Sequence, residues 1–118
     1  MINPVEYNFQ LYVGQTLKYP FTVWNDEAET VPYSFIGHTV SSQARINYAS
    51  SQAVNLNPSI VGNTIFLNAT PAQLAAFNIP SNEKSVKYVY DIEVTKPDNS
   101  KWTIVRGIIE IFPEVTKL

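Results

Sequence analysis

The chain has 118 residues, 45% of them hydrophobic and 13% aromatic, with ten acidic and eight basic groups giving a formal charge of −2. That length suits a single domain, residues 1–118, and that apolar content excludes a disordered chain. The absence of cysteine and the presence of one histidine exclude a disulfide scaffold, thiolate chemistry and a multi-histidine metal site, so no cofactor is expected.

Period-two alternation begins at once. Tyr7, Phe9, Leu11 and Val13 fall on one side of an extended segment, and Glu6, Asn8 and Gln10 on the other. After Gly14-Gln15 the pattern resumes with Leu17, Tyr19, Phe21 and Val23, either a hairpin partner or a neighbour in the opposite sheet. Pro20 lies within this second strand and has no backbone N–H, which predicts an edge position or a bulge. A turn is expected at Asn25-Asp26-Glu27, and a connector with Pro32 and Gly37 over 31–38.

A third strand is expected over His38 to Asn47, with Val40, Ala44 and Ile46 inward. The Ser-, Asn- and Gln-rich stretch 49–58 reads as a loop, and 64–68 as a short fourth strand. Thr70 as N-cap, Pro71 at the first helical position and Gln73 closing a capping box predict one short helix ended by Pro80. The last third predicts a hairpin. Ser85 to Thr95 alternates Val86, Tyr88, Tyr90, Ile92 and Val94 against Lys87, Asp91 and Glu93, then 96–100 turns and Trp102 to Phe112 returns. The whole reads as an all-β, immunoglobulin-like antiparallel sandwich of six to seven strands with one short helix in a connector. Tyr88, Tyr90, Ile92 and Val94 are expected to pack across the sheet gap against Phe9, Leu11, Phe21 and Val23.

Little in the pattern asks for chemistry, and no catalytic residue is assigned. His38 beside Gly37 reads as a turn residue or strand start. Asp91 and Glu93 alternate on one strand face, where a solvated polar face explains their spacing better than a glycosidase pair. Asp26, Glu27 and Glu29 lack the glycine and terminal glutamate of a calcium loop. Asn68-Ala69-Thr70 matches a glycosylation sequon, but Thr70 already has a capping role.

Charged residues are only 15% of the chain against roughly 25% in an average soluble protein, so the surface is suited to meeting other protein. Its basic residues are scattered, which argues against nucleic acid as a partner. No run approaches the ~20 apolar residues of a membrane span, and Met1 to Glu6 has no basic-then-apolar leader. The expectation is therefore a soluble protein made in the cytosol. Tyr12 and Trp24 take the outward parity of their strands, where exposed aromatics anchor interfaces. Pro4 and Pro113 break the terminal segments, so both ends are expected to project. The predicted interface comprises Tyr12, Trp24, Pro4, Pro113 and Val115, together with the loop 49–58.

Several blocks in order carry a resemblance. They are Gly14-Gln15-Thr16, Phe21-Thr22-Val23-Trp24, Ile36-Gly37-His38-Thr39, Ser42-Gln43-Ala44-Arg45-Ile46 and Thr64-Ile65-Phe66-Leu67 leading to Thr70-Pro71-Ala72-Gln73-Leu74. The last are Tyr88 to Val94 and Val105 to Ile111 ending Pro113-Glu114-Val115-Thr116. Their order and spacing resemble small structural proteins of tailed-bacteriophage virions, similar to the N-terminal domain of upper baseplate proteins. The resemblance implies a non-enzymatic β-sandwich assembled in the host bacterial cytoplasm, present in several copies in a symmetric virion and docked to other virion proteins. Baseplate or tail-fibre attachment is the first expectation. Capsid decoration is an alternative, and so is a carbohydrate-binding module for host adsorption.

Overall fold

A computed structural model describes residues 5–25, 27–47, 49, 52–75, 77, 79 and 84–113. Among them the elements run β1 (Val5–Glu6), β2 (Phe9–Tyr12), β3 (Tyr19–Thr22), β4 (Thr39–Arg45), β5 (Val54–Asn55), β6 (Pro58–Val61), β7 (Thr64–Leu67), α1 (Pro71–Leu74), β8 (Val86–Thr95) and β9 (Lys101–Phe112). Two sheets form a sandwich. The larger has the order β1, β9, β8, β4, β5, with β2 also on β9, and the smaller has the order β3, β7, β6. The chain passes from the large sheet to the small one and back, then over and back a second time, which gives the immunoglobulin-like outline.

The alternation places the core as expected. On β8, Tyr88, Tyr90, Ile92 and Val94 are buried, and on β9 so are Ile109 and Ile111. The small sheet answers with Ile65 and Leu67 from β7, and half-buried Tyr19 and Phe21 from β3. An aromatic seam joins the layers. The Phe9 ring lies 5.1 Å from Tyr19 and 5.3 Å from Tyr90, and Phe77, just past α1, meets Tyr88 edge-on at 4.7 Å. The capping box on α1 forms: the Gln73 amide donates to Thr70 Oγ1 and the Thr70 amide to Gln73 Oε1. Pro20 takes the edge its chemistry demands. The Leu17 and Val23 amides donate to Ala69 and Asn63 on the β7 side, so the alternate positions, Pro20 among them, face away from β7.

Several details depart from the sequence reading. Phe9 and Leu11 do not lie across the gap from β8, because β2 joins β8's own sheet through β9; Phe9 reaches Tyr90 from within that sheet. The opening strands run parallel to β9, giving an otherwise antiparallel sandwich one parallel seam. Nine strands are described, because the first is split in two and residues 54–61 contribute two short ones. The expected loop 49–58 thus contains β5 and the start of β6, and Leu56 there is fully buried. Ile46, expected inward, is exposed because β4 ends at Arg45. Pro80 lies outside the described residues.

The split in the first strand has a specific cause. The Tyr7 amide donates to the Arg106 carbonyl at 2.9 Å, as a parallel ladder requires. The next rung would send the Ile108 amide to the Tyr7 carbonyl. Instead that amide donates to Asn8 Oδ1 at 2.8 Å, while the Tyr7 carbonyl accepts from the Tyr90 hydroxyl at 2.6 Å. The carbonyl lies directly over Gly107, where any Cβ would overlap it. Burial first, and the neighbouring Tyr7 second, hold the Tyr90 hydroxyl well above its ordinary value of 10.0, so it stays protonated and donating.

Candidate docking surfaces

Tyr12 lies where alternation puts it. Leu11 and Ile111, paired in register, are buried, so their neighbours Tyr12 and Phe112 face outward together. The two rings stack with centroids 5.0 Å apart and an interplanar angle of 20°, and Tyr12 remains 43% exposed. Pro113 follows at once, exposed and unable to extend the ladder by donating, while the Val13 amide closes the end on the Phe112 carbonyl at 3.0 Å. The result is an apolar ridge of Tyr12, Phe112 and Pro113. Farther along the same face are exposed Ile108 and a shallow depression of about 390 Å³ beside Gln10, Lys87 and Glu110. Two of the predicted interface residues, Tyr12 and Pro113, are therefore brought together. Phe112 escaped the sequence reading because its partnership with Tyr12 depends on a parallel register between the chain's two ends.

Trp24 lies elsewhere. It is half-buried rather than outward, forming a single antiparallel bridge to Pro32, and is flanked by bonds from Asn25 to Val31 and from Tyr33 to Val23. It walls a groove of about 430 Å³ on the flank of the sandwich, between β1 and β3, with Tyr7, Tyr19, Phe21 and Trp102. The hydroxyls of Tyr7 and Tyr19 bond to each other there. Alternation identified those tyrosines as inward-facing, but nothing in it showed that the flank between the two edges stays open. Pro4 and Val115 lie outside the described residues. Of the segment 49–58, Val54 and Leu56 are buried, and exposed Ala49, Gln52, Ala53, Asn55 and Asn57 are the described part left to a surface.

The outward face of β8 presents Asp91 and Glu93 in a depression of about 490 Å³ with Ser41, Gln43, Arg45 and Val89. Desolvation, and then the like charge of Glu93, raise the Asp91 carboxyl above its ordinary 3.8; Arg45 opposes the shift. Glu93 pairs with Lys101 at 3.8 Å, and Arg45 donates to Gln43 at 2.9 Å. His38 fills the turn role: its Nδ1 donates to the Ile36 carbonyl at 2.9 Å and its Nε2 accepts from the Tyr33 hydroxyl at 3.1 Å. Asp26 lies outside the described residues, and among those described no group of three or more metal-ligating side chains gathers.

No family model matches the chain, and no curated protein matches it. Among solved structures it is similar to a family 123 glycoside hydrolase from Clostridium perfringens, with 17% identity over 99% of this chain and a TM-score of 0.40. The chain spans 24% of that protein's length. So weak a likeness bears on no activity.

Proposed function

We propose that the chain is a non-enzymatic structural protein of a tailed-bacteriophage virion, an adaptor in the baseplate or at the tail-fibre attachment, and that it works by docking to other virion proteins. The observation that supports this reading is the ridge of Tyr12, Phe112 and Pro113, on a sheet face that also exposes Ile108. Stacked aromatics beside a rigid proline lose little conformational entropy on burial, and aromatic anchors of this kind carry most of the energy of a protein interface. The order of sequence blocks that resembles baseplate domains supplies the setting. The face bearing the ridge also carries Lys87, Asp91, Glu93, Arg106 and Glu110, a mixed-sign rim suited to fixing the register of a partner.

The test is to purify particles, separate heads from tails, and detect the chain by mass spectrometry. Recovery with the tail fraction is expected. Recovery with heads would favour capsid decoration, and recovery only from host cytosol would end the virion reading.

A further inference from the structure

We infer that the flank groove between β1 and β3 binds a proline-rich segment of a partner protein in the polyproline II conformation. This surface is separate from the Tyr12–Phe112 ridge, and the inference does not depend on the partner's being a virion protein. Val105, opposite Val5, and Phe112, opposite Tyr12, lie seven residues apart on β9, roughly 23 Å at the usual strand rise.

The occupant is chosen by what the groove lacks as much as by what it offers. None of its lining residues is charged. An acidic or basic peptide, or a phosphate, would lose hydration there and gain no counter-charge. Side-chain polar groups are few: the indole N–H groups of Trp24 and Trp102 and three hydroxyls. The Thr22 hydroxyl is engaged with Thr64 at 3.1 Å, and the two tyrosine hydroxyls share one bond between them. An oligosaccharide laid in the groove would leave many hydroxyls unpaired. One of the two tyrosine hydroxyl hydrogens, however, is not used in their shared bond and can be donated to a carbonyl.

The bordering strand excludes a second kind of occupant. Among the described residues β3 pairs with β7 alone, so its other edge borders the groove. On that edge Pro20 offers no N–H, and an added strand would bury a carbonyl without a donor at the centre of a four-residue ladder. A polyproline II segment needs no ladder. It has no internal hydrogen bonds, its prolines bring no N–H that must be satisfied, and its rings pack between aromatic walls, here those of Tyr7, Tyr19, Phe21, Trp24 and Trp102. The length of β3 accommodates about four such residues at ~3.1 Å each.

Trp24 and Trp102 supply the readout. Titrating the full chain with an oligoproline peptide should change tryptophan emission saturably, while an alternating, strand-forming peptide and a chito-oligosaccharide should not. Val5→Glu places a charge on an exposed wall of the groove and should weaken oligoproline binding at least about tenfold. Trp24→Ala should do the same, whereas Trp24→Phe and Val61→Ala, the latter on the far edge of the small sheet, should bind as the parent does. Should Trp24→Ala fail to fold by circular dichroism, Val5→Glu decides alone. Absence of saturable binding, preference for the strand-forming peptide or the oligosaccharide, or unchanged binding by Val5→Glu would overturn the inference.

Discussion

Strand β9 is paired on both sides, and its two seams are built differently. Toward β8 the ladder runs from Val86 opposite Ile111 to Thr95 opposite Lys101, interrupted by one irregularity at Ile92/Glu93. Toward β1 and β2 the register is constant, yet the ladder is opened at Tyr7-Asn8, where the Asn8 side-chain oxygen replaces the Tyr7 carbonyl as acceptor and the buried Tyr90 hydroxyl donates to that carbonyl instead. Alternation decides which side chains face inward on both seams. On the second, whether the strand can lie down also depends on Gly107 and Tyr90, which contact the Tyr7 carbonyl from far along the chain, Tyr90 across 83 positions.

The largest break in this comparison should come from Tyr90→Ala, which removes a buried ring and the Tyr7 acceptor's donor together. A loss of roughly 3–5 kcal/mol is expected, read as a fall in melting temperature of about 10 °C or more. Gly107→Ala should cost about 3 kcal/mol, because the added methyl meets backbone that has no rotamer to change. Amide exchange should then accelerate at Tyr7 and Ile108 while the β8 side of β9 stays protected. Uniform acceleration along both seams would mean that they are not separable. Tyr90→Phe keeps the ring and leaves only the Tyr7 carbonyl unpaired, so a smaller cost, about 1–3 kcal/mol, is expected from denaturant unfolding.

The smallest effect concerns Asp91 on the outward face of the first seam. Its folded-state value is raised, so the folded protein holds this proton more tightly than the unfolded chain. Its contribution is fully present below the ordinary 3.8 and is lost as pH rises through the raised folded value. Asp91→Asn should remove that decline and leave the domain slightly more stable at neutral pH. Asp98 works in the opposite sense: bonds from the Ser100 hydroxyl and amide lower its value, so its contribution fades as pH falls below 3.8. A variant carrying Asp91→Asn whose stability is lower than the parent's at neutral pH would show that the carboxylate is held by its neighbours rather than strained by them.

How much of this was legible follows from the range of each signal. The β8–β9 hairpin, the Thr70–Gln73 capping box and the edge position of Pro20 rest on neighbouring residues, and each reads directly from local sequence. The strands at 54–55 and 58–61 were hidden because Val54 and Leu56 are spaced by asparagines in a stretch whose composition says loop; only pairing with β4 and β7 fixes them. Tyr12 was found as an exposed aromatic, but its stacking partner Phe112 lies at the other end of the described chain, and no local pattern sets that register. Trp24, outward by strand parity, is half-buried because the loop that folds back through Pro32 encloses it.

The docking account is tested most directly by counting copies of the chain per purified particle, by quantitative mass spectrometry, for the parent and for Tyr12→Asp. This change puts a charge into the ridge while leaving buried Leu11 and Ile111 untouched, so the domain should remain folded by circular dichroism. A loss of incorporation of at least about tenfold is predicted. A folded Tyr12→Asp chain present at the parent's copy number would contradict the account.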